Sequence, residues 1–344
     1  MASKNIKGYA FEWFVRKILN YCGFTSVVPD NEIVFRNGRN VMVHGLGQPH
    51  NTDVLVDPPI QIPFFFPSRL IIECKCKNAE LGIEHGRNVF GLREDINGFD
   101  VVTPDILHDR ANYRRRKPAT YNFDRYYYQV ALASTSGFKL TTQEFAAVHR
   151  IPLLQFKSSL FSSVVGLIYE LDNIQMNQFD KEKMLDAFAY SDDIAVQAKA
   201  CASEVLEWSQ TFSKECETIA QRMNIGILDN GSILFLFKPY SPDKDETRAF
   251  ADGYSLHWST NHNYWSLYEN GVERYCFELP IELLRIWANN YNVDRREAAL
   301  QLKEGYMKNI TIYTKSEDAK ISITALTLSS TFINYALREY EHQQ

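Results

Sequence analysis

Apolar residues recur at three- and four-residue spacing through Ala10, Phe11, Phe14, Val15, Ile18, Leu19 and Cys22, which predicts an amphipathic helix that Gly23 can end. Beyond a turn at Pro29-Asp30 the period shortens. Glu32 to Phe35 and Asn40 to Val43 read as short strands around Asn37-Gly38, a hairpin signal, and Asp53 to Val56 and Leu70 to Lys75 read as two more. Between these last two, Pro58, Pro59, Pro63 and Pro67 surround Phe64, Phe65 and Phe66, too much proline for a sheet interior, so a long loop is expected. A helical stretch follows at Asn88 to Ile96, and the segment from Phe99 to Asp124 has no clean period. Tyr127 to Ala133 reads as a buried strand, Thr141 to His149 as a helix and Pro152 to Phe156 as a closing strand. Helices and strands alternating in this way predict an α/β unit.

After Leu160 the texture changes. Amphipathic helices are expected over Glu170 to Phe188 and Asp193 to Arg222, then strands at Ile225 to Leu228, Ile233 to Phe237 and Tyr264 to Tyr268. Pro280 to Asn289 reads as helical, Ile310 to Tyr313 and Ile321 to Leu326 as strands, and the end up to Tyr340 as a helix. Charge changes at the same place. The chain of 344 residues carries 37 Lys and Arg against 42 Asp and Glu, a net −5, but residues 1–160 hold 20 cations against 15 acids and residues 161–344 hold 17 against 27. The expectation is two domains, 1–160 and 161–344, the second an acidic α+β unit suited to recognition of a protein partner, to self-association or to restraint of the first. The 45% hydrophobic and 23% charged composition is ordinary for globular chains and argues against wholesale disorder. No apolar run reaches the roughly 18 residues of a membrane span, residues 1–12 lack the apolar stretch of a signal peptide, and six cysteines show no short-range pairing framework. A cytoplasmic protein without a membrane partner is expected.

The candidate chemistry lies in the first half. Asp53 stands on one expected strand and Glu73-Cys74-Lys75 on another, with strand alternation placing Glu73 and Lys75 on one face. Phosphodiester hydrolysis needs hard oxygen ligands for Mg²⁺ and a cation near the attacking water. Asp53 and Glu73 would hold the metal, with the main-chain carbonyl of Cys74 as a further ligand, while Lys75 would orient or help deprotonate the water and offset transition-state charge. Mn²⁺ is an expected substitute. An Asp followed by ExK also occurs by chance, as a solvent-facing pair on an edge strand. Three further patterns accompany it here: Gly45-Leu46-Gly47-Gln48-Pro49-His50 leading to Asp53 as GxGxxHxxD, Phe11-Glu12 with Val15 and Leu19 as FExxVxxxL, and Ala133 to Phe138 after the later strand.

With these motifs in this order, residues 5–157 resemble the Mrr-like branch of the PD-(D/E)xK restriction-endonuclease-like superfamily. The resemblance implies a four-stranded mixed sheet flanked by helices, a divalent-metal site at the Asp and ExK strands, and cleavage of a nucleic-acid backbone. Asp53, Glu73 and Lys75 match the catalytic positions, and Glu12 matches a first-helix acid that completes the metal shell. The Pro58 to Ser68 loop departs from the tight connection usual between those strands.

Each residue also has a plainer reading. Glu12 can pair with Arg16 one helical turn on. His50 can fix the entry to the Asp53 strand by hydrogen bonding its backbone, or touch a phosphate. Gly45 and Gly47 lack a following helix, so they signify a tight backbone course and no dinucleotide fingerprint. Arg110, Arg114, Arg115, Arg116, Lys117 and Arg125, interleaved with tyrosines up to Tyr128, suit backbone contact and base stacking, or form a solvated loop over packed tyrosines. The reading that follows is a Mg²⁺-dependent endonuclease acting on double-stranded DNA, in restriction or anti-phage defence. Its rivals are a nuclease-fold scaffold without productive catalysis and a nuclease acting on RNA.

Overall fold

A computed structural model describes residues 6–61, 65–98, 126–228, 231–239, 254–259, 264–269, 272–279, 309–315 and 321–327. Helix α1 (Ile6–Tyr21) buries the expected stripe, and Gly23 closes it with a left-handed φ of 95° that only glycine adopts freely. Trp13, outside that stripe, is buried as well. A helix apolar on more than one side must be covered on more than one side, and α1 lies between a sheet and a helical layer.

The sheet on one side has five strands in the order β1 (Thr25–Ser26), β5 (Val54–Asp57), β6 (Ser68–Lys75), β7 (Tyr127–Ser134), β8 (Leu153–Gln155). The pairs β1–β5 and β5–β6 are antiparallel, and β6–β7 and β7–β8 are parallel. The mixed sheet is thus as expected, with one strand more than the expected four, because two-residue β1 pairs with the outer edge of β5. Helix α2 (Ile83–Gly98) makes the crossover from β6 to β7, and α3 (Leu140–His149) that from β7 to β8. Alternation along β6 sorts the core: Leu70, Ile72 and Cys74 face α1, while Ile71 faces the layer holding Val89 and Ile96 of α2.

A second, three-stranded sheet is the antiparallel run β2 (Val34–Asn37), β3 (Asn40–Val43), β4 (His50–Thr52). Its first hairpin turns on Gly38-Arg39, one residue later than the Asn-Gly signal, with Gly38 at φ 60°. Arg39 then reaches Asp186 (2.7 Å) and Glu182, docking the hairpin on a helix of the second half.

That second half begins with α4 (Ser162–Glu170), α5 (Gln178–Tyr190), short α6 (Ile194–Gln197) and α7 (Ser203–Arg222). Both long helices expected from the pattern are broken. The first ends before a turn at Asp172-Asn173, and Asn177 caps a new helix by accepting the Asp180 N–H at 2.9 Å. The second starts properly at the Asp193 cap but is interrupted where the buried Asp180 carboxylate takes the Ala202 N–H at 3.2 Å. A seven-stranded antiparallel sheet follows, ordered β11 (Tyr254–Ser259), β12 (Tyr264–Glu269), β13 (Val272–Phe277), β10 (Ile233–Phe237), β9 (Met223–Leu228), β14 (Asn309–Lys315), β15 (Ile321–Thr327). Strands β11 and β13 escaped the sequence pattern; β13 carries Glu273 and Arg274 among its apolar residues. The helices expected at 280–289 and near 340 lie outside the described residues.

The aromatic core runs through Leu160 without a break. Phe156 meets Phe11 at 5.2 Å and Phe14 at 5.7 Å, Phe161 meets Phe14 at 6.2 Å and Phe237 at 5.4 Å, and Trp13 packs on Phe212 of α7. Trp13 Nε1 also donates to Ser191 O at 2.8 Å. Arg16 donates to the carbonyl of Phe188 in the last turn of α5 (2.8 Å), a favourable place for a cation. No described helix is long and apolar enough to cross a membrane.

Candidate active site

Asp53 occupies a hinge. Residues 50–52 belong to the three-stranded sheet and residues 54–57 to the five-stranded one, so the chain changes sheets at this residue. The β5–β6 register ends at Val54 opposite Ile72. One step further it would set Asp53 against Glu73, two like charges in direct opposition, which destabilises a ladder. Instead, the Asp53 carboxylate takes the place of a ladder partner: Oδ2 accepts the Cys74 N–H at 2.9 Å, and the side chain is only 3% exposed. Lys75 Nζ lies 3.4 Å from the same Oδ2 and also donates to Glu73 Oε1. Asp53, Glu73 and Lys75 therefore meet, on the α2 face of the sheet, with Glu73 and Lys75 about one-quarter open to solvent.

The electrostatics follow from that packing. Burial, the largest single influence, lowers the Lys75 pKa, but the carboxylates of Asp53 and then Glu73 outweigh it and hold the pKa above the ordinary lysine value. Lys75 is an ammonium at neutral pH, a donor and positive charge and not a free base. Cys74 points the other way, into the α1 core, and burial, then the charges of Asp53, Glu12 and Glu73, push its thiol well above the usual range. It is a small apolar filler. In an extended strand one residue's N–H and C=O point to the same edge, so the Cys74 carbonyl is directed to the Asp53 side.

Glu12 belongs to α1, the helix that packs on the opposite face of β6 from Glu73 and Lys75. Its charge is felt by Cys74 and Arg16. Among the described residues no group of three or more His, Cys, Asp or Glu side chains is gathered as a metal cage. His50 is held by Asp95 of α2, Nε2 to Oδ2 at 2.6 Å. The partner is a side chain distant in sequence, on a different element. This hydrogen bond is the main reason that the Asp95 pKa lies below the usual carboxylate range. Nothing in the local pattern singled out Asp95, since its partner is 45 positions away.

Arg110, Arg114, Arg115, Arg116, Lys117 and Arg125 lie outside the described residues. The described chain resumes at Tyr126, and Tyr127 pairs with Ser68 at the opposite end of β6 from Lys75, about 23 Å along the strand at about 3.3 Å per residue. Of the tyrosines here, Tyr128 is buried with its hydroxyl accepting from Arg69 Nη1 (3.3 Å), and Tyr126 lies under the Arg69 guanidinium at 3.4 Å. Tyr127 is the exposed one.

No protein-family model matches the chain, and no curated protein matches it. Among solved structures, the chain is similar to the crystal structure of a protein of unknown function, AF1548, at 14% identity and a TM-score of 0.34, over 63% of this chain and 95% of that one.

Proposed function

We propose that this protein is a metal-dependent endonuclease of the Mrr-like PD-(D/E)xK type, with a restriction-endonuclease-like core in its first half, hydrolysing double-stranded DNA in a defence role in the cytoplasm. The observation that carries the reading is the convergence of Asp53, Glu73 and Lys75 from two strands on one solvent-reached point, in a mixed sheet flanked by helices.

The donor set fits Mg²⁺ or Mn²⁺. Mg²⁺ uses one or two carboxylates and completes its shell with water and substrate phosphate, and two hard carboxylates converge here. Asp53 and Glu73 would hold the ion, with the Cys74 carbonyl on the same side. The bound ion would supply Lewis-acid neutralisation of the phosphoryl charge. The protein's own residues do the rest. The Cys74 N–H fixes the Asp53 carboxylate, so no rotamer must be found when the substrate arrives. Lys75 keeps its proton, orients the attacking water by donation and offsets negative charge as it grows on the phosphoryl oxygens.

The ion pairs that Lys75 makes with both carboxylates favour a second reading, a nuclease-fold scaffold whose site is satisfied without metal. The acidic second half suits a protein partner or a second copy in either case. One experiment separates the two: nicking of supercoiled plasmid with and without Mg²⁺, in the full chain and in Lys75→Ala. The nuclease reading expects metal-dependent nicking that Lys75→Ala abolishes while its circular dichroism is unchanged. Nicking that survives in Lys75→Ala removes the assignment of this site, and absence of both nicking and divalent-metal binding selects the scaffold. Structured RNA offered beside duplex DNA tests the substrate.

A further inference from the structure

The GxGxxH run before Asp53 has a structural purpose that its spacing did not reveal: it encloses the Asp95 carboxylate. His50 Nε2 contacts Asp95 Oδ2 at 2.6 Å, the Gly47 N–H lies 3.3 Å from Oδ1 and 3.4 Å from Oδ2, and the Leu46 N–H donates to the Asp95 main-chain carbonyl at 3.0 Å. Gly45 is obligatory for this arrangement, because a Cβ there would lie 2.0 Å from Asp95 Oδ2 and 2.9 Å from the His50 ring. The acid is also oddly placed for its own helix. Asp95 is in the last turn of α2, where the helix dipole disfavours a negative charge, so its contacts outside the helix must offset that cost.

Those contacts sit next to the one residue of the triad that no ladder holds. Asp53 is the hinge between two sheets, and its position depends on how firmly the segments on either side are attached. On the C-terminal side β5 is anchored in the five-stranded sheet. On the N-terminal side, β4 is three residues long and, among the described residues, pairs only with β3, with Thr52 Oγ1 donating to Val41 O at 3.1 Å. The Asp95 contacts attach the start of β4 to the rigid crossover helix.

We propose that Asp95 is a positioning residue, which through His50 and the Gly47 N–H fixes the segment that presents Asp53 to β6. Its effect on nicking rests on the reading of Asp53 as a metal-holding carboxylate; its effect on the placement of Asp53 does not. The Cys74 amide is a reporter independent of activity, since its proton is donated to Asp53. Hydrogen exchange followed by NMR in the full chain should show the Cys74 amide exchanging about 10-fold faster in Asp95→Ala than in the wild type, the change that loss of one net hydrogen bond allows, with the other β6 amides unchanged. Gly45→Ala, which leaves Asp95 in place but crowds it, should do the same. Asp95→Asn retains an acceptor for the Gly47 N–H and should recover most of the protection. With plasmid as substrate, Asp95→Ala should lower kcat about 10-fold at unchanged KM.

Unchanged Cys74 exchange in both Asp95→Ala and Gly45→Ala overturns the proposal, and so does uniform acceleration of all β6 amides, which would make Asp95 a stability residue only. Should the wild type fail to nick, the nuclease reading falls, but the exchange comparison still decides the role of Asp95.

Discussion

The two ends of β6 carry contacts built from the same parts. At its start, Arg69 of β6 faces Asp57 of β5, Nε to Oδ1 at 3.2 Å; at its end, Lys75 of β6 meets Asp53 where the chain enters β5. What surrounds them differs. Arg69 is 8% exposed, with its charge matched by one carboxylate, a further donor spent on the Tyr128 hydroxyl and its face covered by Tyr126. Its guanidinium is covered, while the Asp57 side chain keeps an open edge. Lys75 stands against two carboxylates, so the cluster retains one negative charge, and it reaches solvent. An acid–base contact becomes a candidate site through excess charge and an accessible cation; at the Asp57–Arg69 end one carboxylate matches one cation, and only the carboxylate, 32% exposed, reaches solvent.

Substitution at the two cations should separate these roles most sharply. Lys75→Ala is expected to reduce metal-dependent nicking by about 10²- to 10³-fold, the range seen when a charge-stabilising donor is removed from a transition state, with little change in the thermal midpoint. Arg69→Ala is expected to do the reverse, lowering the midpoint while kcat holds. Equal loss of nicking in both would erase the distinction. Smaller, and opposite in sign between the two ends, should be the effects of neutralising the acids. Asp57→Asn leaves a nearly buried guanidinium without its counter-charge and should cost about 1–3 kcal/mol in urea unfolding. Glu73→Gln removes the excess negative charge of the cluster, leaves Asp53 to balance Lys75, and should be neutral or stabilising in metal-free buffer. Destabilisation by Glu73→Gln as large as that of Asp57→Asn would mean that both ends are structural.

The open end was legible in the sequence and the closed end was not, for a physical reason. Asp53, Glu73 and Lys75 are hydrophilic residues at the ends of apolar strand patterns, where burial alone would not put them, and strand alternation fixes that Glu73 and Lys75 share a face. Arg69 begins a strand and looks like any flanking cation; its burial depends on Tyr126 and Tyr128, which a parallel crossover brings beside it. Asp95 is concealed in the same way by a contact across two elements. Short-range periods gave α1, the first hairpin and the strands β5 to β8, but capping ended two expected helices early, because Asn177 and the Asp180–Ala202 tie act against an unbroken apolar period. The change of net charge at Leu160 is real, yet charge records surface composition, and the aromatic cluster that joins Phe14, Phe156, Phe161 and Phe237 passes beneath it.

The smallest expected effect is one of pH, and it uses the difference between an ammonium and a guanidinium. In the folded protein the Lys75 pKa lies above the ordinary value of 10.5, because the carboxylates of Asp53 and Glu73 outweigh its burial. A group whose pKa is raised on folding binds its proton more tightly in the native state, so its contribution to stability is complete below the unfolded value and is lost as pH climbs through the folded one. The difference in urea midpoint between wild type and Lys75→Met should therefore be constant from neutral pH up to about 10 and shrink beyond it. Other titrating groups are common to both proteins and cancel in the difference to the extent that they are independent of Lys75. The Arg69 guanidinium keeps its own proton over the same range, so any change in the Arg69→Met difference reports the Tyr128 hydroxyl, whose ionisation Arg69 favours. A Lys75 difference that stays flat would show that the ammonium is not held by the two carboxylates in solution, and the contrast between the ends of β6 would then rest on exposure alone.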